Sequence, residues 1–367
     1  MATPSPTTPP QRLALPDAAP DPAAMTAAVT AWERGELVLA PMETVYGLSA
    51  RADDPAALAR LVAAKEQPES RAFTWHAADS TALDHFGALR PLARRLAERF
   101  WPGPLTLILG EPSPALGAMA RNGAVGVRVP AHAGLRGLLA AAPFPVVATS
   151  ANRHGNAPGV ECDTAAAHFG DQLGLVLDGG TSRLGEPSAV LRLTPGHFEL
   201  ERAGLHDIES LRRAAGLRIA FVCTGNTCRS PMAERLAHAA LAKRLGTPEI
   251  GQFGFNVQSM GVFASAGGGP SRGSVEALAR RNLDLTDHRS QPAVPDALMG
   301  LDRVYCLTSA HREALRSILP PERGPELELL DPQGRDVPDP VGGDLPIYLA
   351  CADAIEAMVE ARLDEWA

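Results

Sequence analysis

Residues 218–231 read Arg-Ile-Ala-Phe-Val-Cys-Thr-Gly-Asn-Thr-Cys-Arg-Ser-Pro, and they are the most informative segment for the architecture of the second half of the chain. The apolar run at 218–222 predicts a short buried strand, and Pro231, which starts an apolar pattern with helical spacing, predicts a helix. Cys223 therefore lies just before a helix N-terminus. Unpaired backbone N–H groups and the helix dipole favour a bound anion and an ionised thiol at such a place.

The spacing from Cys223 to Arg229 is weak on its own, because five cysteines in an arginine-rich chain allow it by chance. The residues in between make it specific. Gly225 lets the backbone approach an anion, Asn226 can bond the loop, and Ser230 adds a hydroxyl. A purely structural cysteine would give Arg229 no reason to face the same turn. The segment predicts a phosphate-binding loop that contains a nucleophile.

Residues 217–367 resemble the low-molecular-weight protein tyrosine phosphatases, because Val222 to Pro231 match the family motif Val-Cys-x-Gly-Asn-x-Cys-Arg-Ser-Pro at every position. The resemblance implies a four-stranded parallel sheet, a phosphoprotein substrate, and no cofactor or metal. Cys223 would be the nucleophile, and Arg229 would bind the phosphoryl oxygens. The loop positions assigned to phosphate binding are Thr224, Gly225, Asn226, Thr227, Cys228 and Ser230.

The family's general acid belongs to an Asp-Pro pair far downstream of the loop, and the chain contains two such pairs after residue 231. Asp339-Pro340 stands just before the last predicted helix, at about 345–366, as it does in the family. Asp331-Pro332 lies eight residues earlier. The position relative to the last helix favours Asp339 as the catalytic acid, alongside Cys223 and Arg229.

Two positions bear on the substrate. Thr227 stands where many family members carry isoleucine, and threonine there resembles the bacterial branch that acts on phosphoarginine. Val341 stands where an aromatic residue usually follows Asp-Pro, so a ring that could stack on phosphotyrosine is missing. Both favour phosphoarginine over phosphotyrosine, and the alternative is that Thr227 is only a small loop residue.

The other cysteines leave further alternatives. Cys228 either forms a protective disulfide with Cys223 or is a small packed side chain. An arsenate reductase of the thioredoxin-coupled type shares the loop but needs two more cysteines on a mobile segment. Cys306 lies in an apolar strand and Cys351 in the last helix, which disfavours that activity.

The length of 367 residues allows two domains, and the net charge of −8 disfavours a strongly electrostatic nucleic-acid binder. Five thinly spread cysteines fit reduced thiols and a cytoplasmic location. No apolar run approaches the ~18 residues of a membrane helix, so no membrane partner is expected. The composition predicts a disordered tail at 1–23, a first domain at 24–203, a linker or short helix at 204–216 and a second domain at 217–367.

Short apolar strands alternate with helical segments in the first domain, which predicts a mixed α/β fold. The predicted strands are 37–40, 105–108, 125–128 and 146–148, and the predicted helices are 55–64 and 89–99. Polar residues follow several strands, among them Thr44, Arg128, Ser150 and Asn152. Open α/β sheets bind ligands at such strand ends.

Residues 30–203 resemble the YrdC-like threonylcarbamoyl-adenylate synthases. The matching segments are Pro-Met-Glu-Thr-Val-Tyr-Gly-Leu at 41–48, Phe-Trp-Pro-Gly-Pro-Leu-Thr at 100–106, Val-Arg-Val-Pro at 127–130 and Ser-Ala-Asn at 150–152. The resemblance implies a twisted mixed sheet that joins L-threonine, bicarbonate and ATP, with magnesium, for tRNA modification. Partners would include tRNA indirectly, and double-stranded RNA binding would be expected. The nucleotide and threonine positions would be Thr44, Lys65, Arg128, Ser150, Asn152, Ser188 and Arg202.

Departures from the family pattern leave two expected functions for this domain. One departure is Ala-Phe-Thr at 72–74 in place of the family's Asn-Pro-Leu. The family's Lys-x-Arg is Lys65-Glu66-Gln67 here, which removes a charged guanidinium that an amide cannot replace. Met42 and Ala189 each replace a threonine of the family pattern. Two hypotheses remain open: a synthase, or a nucleotide- or RNA-binding module without turnover.

Overall fold

The structure is a computed structural model, and it describes residues 10–66, 73–87, 89–153, 155–320 and 324–367. The chain divides into two compact units, Met1–Leu211 and Arg212–Ala367. Within the described ranges, no helix is long and apolar enough to cross a membrane.

The first unit alternates strands and helices as the sequence predicts. Its strands are β1 Gln11–Ala14, β2 Leu37–Ala40, β3 Gly47–Arg51, β4 Thr74–His76, β5 Leu105–Gly110, β6 Ala124–Arg128, β7 Val146–Ser150, β8 Leu173–Asp178, β9 Ala189–Thr194 and β10 His197–Arg202. Its helices are α1 Pro22–Glu33, α2 Pro55–Lys65, α3 Arg90–Phe100, α4 Ala133–Ala141 and α5 Cys162–Ala167. Helix α6, Ile208–Ala215, contains the boundary between the units.

The described strands of this unit form one mixed, ten-stranded sheet in the order β1-β8-β2-β3-β7-β4-β6-β5-β9-β10. Strand β4 lies near its centre, antiparallel to β7 and parallel to β6. The mixed sheet confirms the fold class that the sequence predicts. Several strands, β2, β5 and β6 among them, are buried along their whole length, which explains why their sequences are continuously apolar.

The disordered tail predicted at 1–23 is wrong for the part that the structure describes. Gln11–Ala14 form β1, which pairs in parallel with β8 at the edge of the sheet. Arg12 fixes this strand, because its guanidinium pairs with Asp178 at 2.6 Å and with Asp163 at 2.7 Å. Strand pairing uses main-chain groups, so a composition rich in proline and alanine does not reveal it.

Two Asp-Pro pairs begin helices in this unit. Asp21 precedes Pro22 at the start of α1, and its carboxylate accepts the backbone N–H groups of the first turn. Asp54 does the same before Pro55 at the start of α2. Proline has no N–H to leave unpaired in the first turn, and aspartate satisfies the donors that remain.

The second unit is built on four parallel strands, β11 Arg218–Cys223, β12 Asn256–Gly261, β13 Arg303–Cys306 and β14 Glu326–Leu329. The sheet order is β12-β11-β13-β14, which confirms the predicted four-stranded parallel sheet. The helices are α7 Arg229–Leu245, α8 Arg272–Ala279, α9 Pro295–Leu298, α10 Ser309–Ile318 and α11 Leu345–Trp366.

The centre of this sheet positions the predicted phosphate loop. Strand β11 pairs with β12 on one side and β13 on the other, and it ends at Cys223. Helix α7 begins at Arg229, so Pro231 is its third residue and not its first as predicted. Proline is tolerated there because the first N–H groups of a helix have no intrahelical partner. The last helix has the predicted bounds.

Candidate functional sites

The nucleophile candidate lies at the carboxyl end of the central strand. Cys223 is buried, and its Sγ is 3.0 Å from the hydroxyl oxygen of Ser230 in the first turn of α7. The N-cap residue of α7, Cys228, makes no side-chain hydrogen bond to the helix N–H groups. The first N–H groups of α7 therefore lack the side-chain acceptor that usually caps a helix. They remain suited to bind an anion in the loop.

Asn226 holds the loop in shape. It adopts a left-handed conformation with φ 53° and is fully buried. Its side-chain amide donates to the hydroxyls of Ser230 and Ser259 at 2.9 Å each and accepts the backbone N–H of Gln291 at 2.8 Å. His288 Nε2 donates to its backbone carbonyl at 2.8 Å. A fully bonded buried network of this kind keeps a loop rigid.

Gly261 and Gly225 differ in what surrounds the position where a side chain would lie. A Cβ at Gly261, at the end of β12, would lie 2.6 Å from the Thr224 carbonyl and 2.8 Å from the Asn226 nitrogen, so β12 could not approach the loop. A Cβ at Gly225 would meet only the Thr227 hydroxyl, at 3.7 Å. The protein itself leaves room at Gly225, which fits a position kept small for a ligand.

Arg229 connects the loop to the candidate acid. Its guanidinium is almost fully buried and donates to the Val337 carbonyl at 3.1 Å and to Asp339 Oδ2 at 2.5 Å. The other oxygen of Asp339 accepts the backbone N–H of Val341 at 3.2 Å. The structure therefore brings Cys223, Arg229 and Asp339, which the sequence selects from distant segments, to one site.

The alternative acid, Asp331, makes its hydrogen bonds to residues of its own turn. It is buried, and its oxygens accept the backbone N–H of Gln333 at 2.9 Å and the Arg335 guanidinium at 2.5 Å. The hydrogen bond from Arg335 is the main reason that the pKa of Asp331 lies below its usual range. The contacts of Asp331 lie within its own turn, whereas Asp339 contacts Arg229 of the phosphate loop.

Thr227, Cys228 and Val341 differ in burial. Thr227 is half-buried, with its hydroxyl 3.6 Å from Cys228 Sγ, and its carbonyl accepts the Ser271 N–H at 2.8 Å. Cys228 Sγ also lies 3.8 Å from the hydroxyl of Tyr348 on α11. The cysteines of the described chain are all free thiols, and Cys228 is buried here between Thr227 and Tyr348. Val341 is exposed.

The first unit contains a cavity of about 370 Å³. It is lined by six of the seven residues that the sequence assigns to nucleotide and threonine binding: Thr44, Lys65, Arg128, Ser150, Ser188 and Arg202. Two further arginines, Arg121 and Arg192, line it and are missed by the sequence analysis. Several cationic side chains around one polar cavity suit an anionic ligand.

Lys65 joins the seventh residue, Asn152, to the cavity wall. Its buried ammonium, at the end of α2, donates to the carbonyl of Ser150 at 2.5 Å, to the carbonyl of Asn152, and to Asn152 Oδ1 at 3.2 Å. The Ser150 hydroxyl donates to the same Oδ1 at 2.6 Å. The structure brings these three predicted residues together at the end of β7.

Arg128 lies at the end of β6 and is held by acceptors on two loops. Its guanidinium pairs with Glu43 at 2.5 Å and donates to the Thr44 hydroxyl at 3.1 Å and to the Gly103 carbonyl at 3.1 Å. Burial, and then the charge of Arg128, lower the pKa of the neighbouring His76 to about 3. This part of the cavity therefore combines a fixed cation with a neutral imidazole.

Ser188 and Arg202 meet at the far end of the sheet. Arg202, the last residue of β10, donates to the Ser188 carbonyl at 2.9 Å and to its hydroxyl at 3.0 Å. The Ser188 hydroxyl lies 2.9 Å from that of Thr106 on β5. Of the departures from the family pattern, Met42 is buried and lines the cavity, and Ala189 is buried at the start of β9. Gln67 lies outside the described residues.

Among the residues that the structure describes, no group of three or more His, Cys, Asp or Glu side chains could hold a metal ion. The chain thus combines a strand-to-helix cysteine loop on a parallel sheet with a polar, cationic cavity on a mixed sheet. Together these define a two-domain protein with a phosphatase-type loop in one domain and a cationic cavity in the other.

Comparison with known proteins identifies both families. Residues 30–204 match the Sua5–YciO–YrdC family, described as telomere recombination, and residues 218–366 match the low molecular weight phosphotyrosine protein phosphatase family. The chain belongs to the first family through its first domain and to the second family through its second domain.

Individual relatives agree with this assignment. The first domain is 38% identical over 174 residues to the threonylcarbamoyl-AMP synthase of Chromohalobacter salexigens, covering 46% of this chain and 92% of that protein. The second is 37% identical over 144 residues to the protein-arginine-phosphatase of Bacillus subtilis, covering 38% of this chain and 91% of that protein.

The match to a relative from Pyrococcus abyssi spans only about half of that protein. The match to its threonylcarbamoyl-AMP synthase is 36% identical over 185 residues and covers 50% of this chain, but only 54% of that enzyme. A solved structure of a doubly substituted variant of P. abyssi Sua5 superposes with a TM-score of 0.50 at 30% identity, covering 55% of this chain and 67% of that one.

Proposed function

We propose that the second domain hydrolyses a phosphorylated protein side chain through a phosphocysteine intermediate. The observation that carries this proposal is the convergence of Cys223, Arg229 and Asp339 around one loop, with Arg229 and Asp339 paired at 2.5 Å. The Cys223 thiolate attacks phosphorus, and the bond to the leaving oxygen or nitrogen breaks. Arg229 and the loop N–H groups stabilise the negative charge on the phosphoryl oxygens, and Asp339 protonates the leaving atom.

The second step returns the enzyme to its starting state. Water attacks the phosphocysteine, and Asp339, now ionised, takes the proton of that water. The sulfur–phosphorus bond breaks and inorganic phosphate forms. Ser230, whose hydroxyl is 3.0 Å from the sulfur, stabilises the departing thiolate by donating a hydrogen bond. Apart from the attacking water, the groups that act in this cycle are side chains and main-chain N–H groups of the second domain.

The proposed substrate is a phosphoarginine residue in preference to phosphotyrosine. The related Bacillus subtilis protein is named a protein-arginine-phosphatase. Thr227 offers a short hydroxyl-bearing wall beside the loop, where isoleucine would crowd a broad guanidinium. Val341 is 68% exposed and provides no ring for a tyrosine to stack on. The phosphorus–nitrogen bond is labile once its nitrogen is protonated, so one carboxylic acid suffices for cleavage.

Replacing Thr227 with isoleucine tests this preference. We expect Thr227→Ile to shift the ratio of kcat/KM values toward phosphotyrosine by roughly 10-fold, because the longer side chain narrows the pocket and removes a polar group. The measurement uses two peptides that differ only in the phosphorylated residue, with Thr227→Ser as the control that keeps the hydroxyl. Better turnover of phosphotyrosine by the unaltered protein, with no response to isoleucine, would show that Thr227 is only a small loop residue.

We propose that the cavity of the first domain binds ATP. The first candidate function is synthesis of threonylcarbamoyl-AMP from ATP, L-threonine and bicarbonate. The observation that supports it is the cationic cavity, with Lys65, Arg128 and Arg202 in its walls. The related Chromohalobacter salexigens protein is named for that product. A binding module without turnover is the second candidate, favoured by Gln67 in place of the family arginine and by Met42 in the cavity wall.

The two candidates differ in a direct assay. We expect the unaltered protein to bind ATP weakly and to form little threonylcarbamoyl-AMP from ATP, L-threonine and bicarbonate. One missing charge-assisted contact costs about 1.5–3 kcal/mol, equivalent to roughly 10–150-fold in yield. Gln67→Arg should therefore raise the yield, with Gln67→Lys as a control that adds charge without the fork geometry. Robust synthesis by the unaltered protein, followed through released pyrophosphate, would instead establish a full synthase.

A further inference from the structure

Thr224, the residue directly after the nucleophile, contacts two segments outside the phosphate loop. Its hydroxyl lies 2.9 Å from Nε2 of His311 on α10, and its carbonyl accepts the backbone N–H of Phe263 at 2.9 Å. Thr224 is nevertheless exposed, unlike the buried loop residues Cys223 and Asn226. The catalytic cycle proposed for Cys223 does not use the Thr224 hydroxyl, the His311 ring or the Phe263 side chain.

His311 fixes the direction of the Thr224 hydroxyl. The ring is 4% exposed, and its Nδ1 lies 2.9 Å from the hydroxyl of Thr308, which also accepts the His311 backbone N–H as the cap of α10. Burial, and then the charge of Arg229, lower the pKa of His311 to about 4. The imidazole is therefore neutral at neutral pH, with one N–H and one lone pair.

In either tautomer of the His311 ring, the Thr224 hydroxyl keeps a lone pair that this network does not use. If the ring proton lies on Nε2, this N–H donates to Thr224 and occupies one of its two lone pairs. If the ring proton lies on Nδ1, Nε2 accepts the Thr224 proton and both lone pairs remain. At least one lone pair of Thr224 is therefore available to a group outside the protein.

Phe263 is the most exposed large apolar side chain among the described residues, at 80%, and Val341 is next at 68%. Each belongs to a segment that touches the catalytic loop or the acid: the Phe263 N–H bonds Thr224, and the Val341 N–H bonds Asp339. An aromatic face beside the loop can cover a planar group, and it attracts a guanidinium through the cation–π interaction.

We propose that Thr224, positioned by His311, and the exposed ring of Phe263 together form a subsite for the guanidinium of a phosphoarginine substrate, an inference that rests on the proposed phosphatase function. The free lone pair of Thr224 accepts an N–H of the guanidinium, and the Phe263 ring stacks on its plane. The ring of phosphotyrosine also stacks on Phe263, but its carbon atoms offer Thr224 no N–H donor. Thr224 therefore discriminates between the two substrates, whereas Phe263 binds both.

The test compares kcat/KM for phosphoarginine and phosphotyrosine peptides of the same sequence. The preference ratio is kcat/KM for the phosphoarginine peptide divided by kcat/KM for the phosphotyrosine peptide. Thr224→Val is expected to lower this ratio by about 10-fold, the effect of one lost hydrogen bond in a confined site. Thr224→Ser keeps the hydroxyl and should keep the ratio. Phe263→Ala should raise KM for both peptides and leave kcat unchanged. Ile318 is an exposed apolar residue at the other end of α10. Ile318→Ala is therefore the matched control, and it should change neither the preference ratio nor KM.

A double-mutant cycle tests the positioning role of His311. His311→Leu should lower the ratio as Thr224→Val does, and the double variant should lower it no further, because both changes remove the same directed hydroxyl. Thermal unfolding of each variant reports its fold, and Thr224→Val alone decides the proposal if His311→Leu does not fold.

Three different failures are distinguishable. An unaltered protein that prefers phosphoarginine, together with an unchanged ratio in Thr224→Val, would overturn the subsite and leave the phosphatase proposal intact. A preference of the unaltered protein for phosphotyrosine would overturn the proposed substrate and the subsite together. Absence of turnover on either peptide and on p-nitrophenyl phosphate would overturn the phosphatase function itself.

Discussion

Cys223→Ser is expected to reduce phosphatase turnover by roughly 10³-fold or more, as removal of a covalent nucleophile does in other enzymes. The hydroxyl that replaces the thiol has no accessible anion at neutral pH. The fold should be unaffected, since the loop N–H groups, Asn226 and Arg229 keep their bonds, and serine fits the space beside the Ser230 hydroxyl. The measurement is kcat on p-nitrophenyl phosphate, with circular dichroism to check the fold.

Cys351→Ser is the matched control for this variant. Cys351 is another buried thiol of the second domain, on α11, and burial raises its pKa to about 12. Its S–H donates to the Pro338 carbonyl at 3.6 Å, a bond that a serine hydroxyl can also make. Turnover should survive this change. Retention of more than a few per cent of kcat by Cys223→Ser would instead mean that Cys223 is not the nucleophile.

Most candidate catalytic residues of the second domain can be selected from the sequence because they are close together along the chain. Cys223, Arg229 and Ser230 lie within one turn, and their spacing alone places them between a strand and a helix. The bonds that rigidify the loop are not local. Ser259, His288 and Gln291 reach Asn226 from 33 to 65 positions away, and no spacing rule connects them.

The first domain shows the same limit. Thr44, Arg128 and Ser150, which the sequence selects at strand ends, line one cavity, because polar residues after buried strands gather at a sheet edge. Arg121 and Arg192 reach the cavity from a loop and from the middle of β9, where their sequence context resembles that of any exposed arginine. Strand β1 is missed for a related reason, since its partner β8 lies about 160 residues further along the chain.

The choice between two Asp-Pro pairs illustrates how structure and sequence complement each other. Position before the last helix selects Asp339 but gives no physical reason to reject Asp331. The structure supplies a reason, because the oxygens of Asp331 are bonded within its own turn, to Gln333 and Arg335. Asp339 instead contacts the loop arginine and keeps 45% of its side chain exposed, where a substrate can reach it.

Asp339→Asn is therefore expected to slow turnover by roughly 10²–10⁴-fold on substrates with poor leaving groups, the usual contribution of a positioned general acid. An amide cannot supply the proton, and a leaving atom that needs one is slowed most. The loss on p-nitrophenyl phosphate should be smaller, because nitrophenolate leaves without full protonation. The measurement is kcat across a series of aryl and alkyl phosphates, plotted against the pKa of the leaving group.

Asp331→Asn is the control, since it removes a carboxylate of the same Asp-Pro context that lies in a different hydrogen-bond network. It should lower thermal stability, because the Arg335 contact is weakened, and leave the slope of that plot unchanged. A steeper slope in Asp331→Asn, with a normal slope in Asp339→Asn, would reverse the assignment of the acid. A normal slope in both would require a proton donor outside the two Asp-Pro pairs, and the Arg229–Asp339 ion pair would then serve only to orient the guanidinium.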